Sequence, residues 1–110
     1  MPYLNAYKVV IGMLEKVRVG ALNYDVAVKE HFKASDDDRN LWGYCDYEQQ
    51  QITIRESLKE TKRDQVFVHE MMHAVFHAAG YMNHEEDMIQ RVGQVMHQVL
   101  NDNDFSFIRK

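Results

Sequence analysis

The sequence contains a single cysteine, Cys45, among its 110 residues. One thiol cannot form an internal disulfide, so we expect stability to come from packing, as is usual in a reducing compartment. The amino terminus lacks the basic segment and apolar stretch that a secretory signal requires, and no apolar run approaches the ~20 residues that cross a bilayer. These absences predict a cytoplasmic protein that does not insert into membranes.

Positive charge is also scarce, because 13 Lys and Arg residues face 17 Asp and Glu residues, for a formal net charge of −4. Such a chain repels a phosphate backbone, which argues against nucleic acid as the main partner. With 45% apolar residues, 27% charged residues, one proline and five glycines, the composition is typical of a globular protein. The length suits one domain, and we predict a single domain over residues 1–110.

Alternating apolar and polar side chains over residues 16–32 predict a β-hairpin with its turn in residues 20–23. A second β pair is predicted over residues 41–47 and Gln51–Arg55, which are rich in aromatic and β-branched side chains. Because the connections are short, we expect an antiparallel sheet. Two further segments are predicted as a short helix or irregular lead-in over residues 3–14 and a polar loop over residues 33–40.

Two helices are predicted in the second half of the chain. Thr61 precedes apolar residues at helical spacing, which predicts a helix over residues 62–79 that begins with a capping box and ends at Gly80. Asn83 is the predicted N-cap of a second helix that reaches about residue 101. The fold class is therefore α+β, a small antiparallel sheet packed on two helices. The apolar stripe of the second helix is predicted to be Met88, Ile89, Val92, Val95, Met96, Val99 and Leu100.

The predicted first helix contains the HExxH pattern, His69-Glu70-Met71-Met72-His73. Residues four apart share a helix face, so both imidazoles can bind one metal ion. Zinc lowers the pKa of a bound water toward about 7, which allows Glu70 to remove its proton and later return it to a leaving amine. Burying these polar groups without a partner is costly, so we prefer a metal site to a plain core helix.

A catalytic zinc also needs a third protein ligand and an open coordination position. If the second helix buries its predicted stripe, Glu85 lies near the middle of that stripe, where a carboxylate is costly unless it is paired or metal-bound. We therefore predict Glu85 as the third ligand and Glu86 as a helix cap. His77 lies one turn too far along the first helix, so we expect it to surround the site. The residues near the motif that could supply this ligand are Glu85, Glu86, His84 and His77.

The HExxH residues, the preceding stretch LWGYCDYEQQQITI and the following stretch HEEDMIQRVGQVMHQVLNDN together resemble small phage and prophage members of the ImmA/IrrE-like zinc metallopeptidases. The resemblance covers residues 17–104. It implies a zincin-like fold, a zinc held by two histidines and a downstream glutamate, and cytoplasmic proteolysis, sometimes directed at a repressor. On this chain it implies the zinc ligands His69, His73 and Glu85, with Glu70 as the general base.

Two other resemblances compete. The segment HEMMHA is similar to the motif of SprT-like proteases, in which a third histidine binds zinc, so His84 would replace Glu85. The segment GYMNHEED is similar to part of YbeY-type endoribonucleases, but those enzymes carry glycine at the position of Glu70 and a shorter spacing. A catalytically idle zincin that acts as a binding module is a further alternative. Glu70 favours catalysis, because a purely structural zinc needs four protein ligands and no base.

The sequence therefore predicts a zinc-dependent metallopeptidase that hydrolyses a peptide bond in a protein or peptide substrate. In such an enzyme an edge strand can pair with an extended substrate, and we expect the main chain of residues 51–54 to provide that edge.

Overall fold

Two β-hairpins form the sheet in the computed structural model, which describes residues 14–30 and 42–109. Both hairpins are confirmed, although the predicted lead-in and the predicted polar loop lie outside the described residues, apart from Leu14. The four strands are β1 (Lys16–Val19), β2 (Leu22–Lys29), β3 (Gly43–Asp46) and β4 (Gln51–Arg55).

The strand order is β1-β2-β4-β3, and the central pair, β2 and β4, is parallel. The predicted antiparallel sheet is therefore wrong at its centre, and the sheet is mixed. Residues 30–42 separate β2 from β3, which is enough chain to cross to the far side of the sheet before β4 returns beside β2. Because β4 is paired on both sides, the expectation that residues 51–54 form a free edge is also wrong. In the described part of the sheet, β3 occupies that edge.

The turn between β1 and β2 depends on Gly20, which has a φ of +60°. This left-handed conformation costs glycine little and is disfavoured for residues that carry a Cβ atom. A Cβ at Gly20 would also lie 3.1 Å from the Cβ of Ala78, near the end of the first helix. The same glycine therefore closes the hairpin and allows it to approach the helix.

Helix α1 (Glu60–Ala78) agrees with the predicted helix to within two residues. Its predicted capping box is wrong, because the N-cap residue is Lys59 in an extended conformation and no side chain caps the helix. Thr61 lies inside the first turn instead. The helix is fixed mainly by packing of its apolar side against the sheet, which is usual for helices in proteins.

The carboxyl end of α1 has the predicted glycine. Gly80 has a φ of +95°, and its amide donates to the carbonyl of His77 at 3.0 Å. The amide of Tyr81 donates to the carbonyl of Phe76 at 2.9 Å, and the two rings lie against each other with centroids 6.1 Å apart. These paired hydrogen bonds and the accompanying ring contact form a Schellman motif, which fixes the path of the chain as it leaves the helix.

Helix α2 (Glu86–Asp102) begins later than predicted, with Glu85 and not Asn83 as its N-cap. Its buried residues are Ile89 and Gly93, and the predicted apolar stripe is too broad. The stripe residues that remain exposed are Met88, Val92, Val95 and Leu100. Helix α2 therefore packs on α1 along a narrow line, and a 3₁₀ turn at Ser106–Ile108 follows it.

The core has two parts, one on each side of α1. Between the sheet and α1 lie Tyr24, Cys45, Ile52, Ile54, Val66 and Ala74. Between α1 and α2 lie Val68, Met72 and Ile89. This α+β arrangement confirms the predicted fold class and is compatible with a small zincin-like domain. No helix in the described ranges is long and apolar enough to cross a membrane.

Candidate metal centre

The two histidines of the HExxH motif lie one turn apart on α1 and point to the same place. Their ring centroids are 5.1 Å apart, with 65° between the ring planes. Their side chains are 15% and 13% exposed, so each ring keeps a narrow access to solvent. Because Val68 and Met72 anchor the same turns in the core between the helices, the two imidazoles are held at the edge of that core.

The carboxylate that meets these imidazoles belongs to Glu86, the first residue of α2. Its Oε1 contacts Nε2 of His69, and its Oε2 lies 3.0 Å from Nε2 of His73. One ligand atom from each of the three residues can be chosen so that all lie within 4.8 Å of one another. The structure therefore brings together two imidazole nitrogens and one carboxylate.

Glu85, the predicted third ligand, occupies the N-cap of α2 and is exposed. The expectation that it lies in the middle of a buried stripe is wrong, because the helical turns begin only at Glu86. Glu86 precedes Ile89 by three residues and Gly93 by seven, which is the spacing of one helix face. It therefore shares the face that packs against α1.

Gly93 is the signal in the sequence that identifies this face. A glycine inside a helix costs roughly 1 kcal/mol relative to alanine, so its presence in a helical pattern indicates a close approach of another backbone. Counting back two turns from Gly93 leads to Glu86 rather than to Glu85. The predicted apolar stripe hides this signal, because it places Glu85 and not Glu86 near its middle. Most residues of that stripe remain exposed in the structure.

The two other histidine candidates lie outside the group of three. His84 approaches His73 from the opposite side of the ring, with its Nε2 2.7 Å from the Nδ1 of His73. His77 stacks on Tyr47, with ring centroids 4.1 Å apart and 10° between the planes. His84 therefore contacts one imidazole of the pair, whereas His77 packs on the residue that follows β3.

Glu70 is only 7% exposed, and its side chain lies where α1 packs against β3. Burial, and to a smaller extent the negative charge of Glu86, raise its pKa to about 8. The close approach of β3 at Gly43 leaves no room for a side chain there and keeps Glu70 covered. A buried carboxyl with a shifted pKa beside a cluster of ligand atoms is typical of a catalytic acid or base.

The donor atoms of this centre fit a divalent transition metal. Two imidazoles and one carboxylate form the three-ligand set of many catalytic zinc sites, and the set leaves further coordination positions open. A cation would also compensate the mutual repulsion of Glu70 and Glu86, which now raises the pKa of Glu70. The residues present therefore fit a metal ion.

The sequence from residue 17 to residue 101 matches the model of the Peptidase M78 family, the IrrE N-terminal-like domain. The chain belongs to the M78 peptidase family. The matched residues include all of the sheet except Lys16, the whole of α1, and all but the last residue of α2. This M78 domain therefore contains the HExxH motif and Glu86 within the part that defines the family, and the ImmA/IrrE-like resemblance is confirmed. No curated protein and no solved structure matches the chain at a significant level.

Proposed function

We propose that this M78 domain is a zinc-dependent peptidase in which His69, His73 and Glu86 hold the metal and Glu70 is the general base. The observation that carries this proposal is the buried carboxyl of Glu70 next to three convergent ligand atoms. Glu86 replaces Glu85 as the proposed third ligand, because its carboxylate contacts both imidazoles.

The position of Glu70 supports the role of a general base that later acts as an acid. A bound zinc would act as a Lewis acid that lowers the pKa of water toward about 7. The carboxylate of Glu70 accepts the proton of the attacking water, and the resulting acid returns that proton to the nitrogen of the leaving amine. A group whose pKa lies near the working pH can perform both transfers.

The substrate class follows from the family and from the sheet. Strand β3 lies at the edge of the described sheet, and it passes so close to α1 that a Cβ built on Gly43 would stand 3.0 Å from Cγ of Glu70. An extended peptide that adds to such an edge makes main-chain hydrogen bonds along its length. We therefore infer that the substrate is an unfolded or extended segment of a protein, with its scissile bond near Glu70.

The test is to compare the wild type with Glu70→Gln for zinc content and for cleavage of a peptide library. The amide keeps the shape of the side chain but cannot take up a proton, so we expect bound zinc to remain and turnover to fall by about 10²- to 10⁴-fold. Glu48→Gln, in the exposed turn after β3, is the matched control and should keep both properties. Equal turnover in Glu70→Gln would overturn the catalytic role, whereas zinc binding without turnover in the wild type would favour a binding module.

A further inference from the structure

His84 forms two short polar contacts, one through each ring nitrogen. Its Nδ1 lies 2.6 Å from the carbonyl oxygen of Tyr81. Its Nε2 lies 2.7 Å from Nδ1 of His73. Both distances are within hydrogen-bond range, so His84 bridges a backbone carbonyl and one of the two imidazoles of the candidate metal centre.

The direction of these hydrogen bonds is fixed by the carbonyl. A carbonyl oxygen can only accept, so Nδ1 of His84 carries the hydrogen. A neutral imidazole has one N–H, which leaves Nε2 of His84 as an acceptor and makes Nδ1 of His73 the donor. The remaining nitrogen of His73, Nε2, then presents a lone pair.

That lone pair faces Glu86, because Nε2 of His73 lies 3.0 Å from its Oε2. A lone pair and a carboxylate oxygen repel each other at this distance unless a proton or a metal ion lies between them. The hydrogen bonds from Tyr81 through His84 to His73 therefore leave the lone pair on Nε2 of His73 available to bind a metal ion together with the carboxylate of Glu86. In metalloproteins the second nitrogen of a ligand histidine is commonly fixed in this way.

The anchor of this chain is rigid. The amide of Tyr81 is bound to the carbonyl of Phe76 in the Schellman motif that ends α1. The ring of His84 also packs on the ring of Phe76, with centroids 5.6 Å apart and 62° between the planes. The orientation of His84 is thus set by the same helix that carries His73.

We propose that His84 is a positioning residue, which holds His73 with its Nε2 directed at the metal, and that it is not itself a ligand. The inference rests on the metal site proposed above. The Nε2 of His84 already accepts the hydrogen of His73, so it has no lone pair left for a metal. The nearby hydroxyl of Tyr47 is 3.5 Å from the same nitrogen, too far to replace this bond.

The first test is NMR spectroscopy of ¹⁵N-labelled protein loaded with ¹¹³Cd²⁺, which measures bonding and not turnover. We expect cadmium–nitrogen coupling to His69 and His73, none to His84, and nitrogen–nitrogen coupling across the hydrogen bond between His73 and His84. Cadmium coupling to His84 would overturn the positioning role. Bound cadmium without the nitrogen–nitrogen coupling would overturn the positioning role of His84 and leave the metal site standing. Failure to bind cadmium would overturn the proposed metal site, and the positioning role with it.

The second test is zinc affinity, measured by competition with a chelator. His84→Phe keeps a ring but removes the acceptor, so we expect the affinity to fall by about 10- to 100-fold. His84→Gln keeps an acceptor near the Nε2 position and should lose less. Tyr47→Phe, which removes only the distant hydroxyl, is the control and should bind zinc as the wild type does. Unchanged affinity in His84→Phe would overturn the proposal, and loss of peptide turnover alone would not affect it.

Discussion

Gly93 of α2 lies against the backbone of His69 in α1, and a Cβ built on this glycine would stand 3.5 Å from the Cα of His69. This contact brings the two helices together beside the first imidazole of the HExxH motif. Because Glu86 lies two turns before Gly93 on the same face, the contact also sets how far its carboxylate reaches toward His69 and His73. The separation of the helices therefore determines whether three ligand atoms can share one ion.

Substitutions at Gly93 should separate stability from metal binding. In Gly93→Ala the added methyl group makes an ordinary contact, so we expect zinc affinity to be retained and helix propensity to add about 1 kcal/mol to the stability. In Gly93→Leu the larger side chain has to push the helices apart, which should cost about 1–3 kcal/mol and weaken zinc binding. Urea unfolding and chelator competition measure the two effects. Wild-type zinc affinity in Gly93→Leu would show that helix spacing does not control the site.

Glu86 and Glu85 form a matched pair, since they are adjacent and chemically identical. We expect Glu86→Ala to lose more zinc affinity than the about 10- to 100-fold that is typical of residues which only orient a ligand. Glu85→Ala removes an exposed N-cap side chain that makes no capping hydrogen bond, so its zinc content should be that of the wild type and its stability should change by less than about 0.5 kcal/mol. Elemental analysis of both variants decides between them, and loss of zinc in Glu85→Ala alone would restore the original assignment.

The sequence was informative where structure is local. The HExxH motif and the helix that carries it depend on residues within a few positions of each other, and α1 forms over nearly the predicted range. Gly80 ends that helix in the predicted left-handed conformation, because this conformation is favourable only for glycine and few other residues. Both hairpins likewise form between neighbouring segments with a short connection.

The features that the sequence did not predict depend on distant parts of the chain. The parallel pairing of β2 with β4 results from where the second hairpin docks, and the alternation of side chains is the same in either strand direction. The start of α2 was misplaced because Asn83 has the side chain of a good N-cap, yet the following residues form the loop in which His84 reaches His73. The sequence therefore favours Glu85 as the third ligand, whereas the carboxylate that contacts both imidazoles is that of Glu86.

The metal-free protein should become less stable as the pH rises, because of Glu70. Its pKa is raised to about 8 in the fold by burial and by Glu86, from 4.5 in a free chain. Between these values the folded state binds more protons than the unfolded state, so the free energy of unfolding falls with rising pH, by at most about 1.4 kcal/mol per pH unit. Glu70→Gln lacks this contribution. Its free energy of unfolding should therefore rise relative to that of the wild type as the pH increases from 5 to 8. Urea unfolding in EDTA at several pH values measures the difference, and parallel curves for the two proteins would contradict the shift.

Gly43 should be the position where a single methyl group harms catalysis without harming zinc binding. A Cβ there would lie 2.5 Å from Cγ1 of Val66, closer than a Cβ atom approaches a non-bonded atom in folded proteins, and 3.0 Å from Cγ of Glu70, which is a tight contact. Gly43→Ala must therefore shift β3 or displace Glu70, at a cost of about 1–3 kcal/mol in stability. Peptide turnover should fall while zinc affinity stays, because His69 and His73 lie where α1 meets Glu86 of α2 and not at the contact with β3. Gly93→Ala is the control, since its methyl group fits at 3.5 Å, and wild-type turnover in Gly43→Ala would show that Glu70 does not need the position in which β3 holds it.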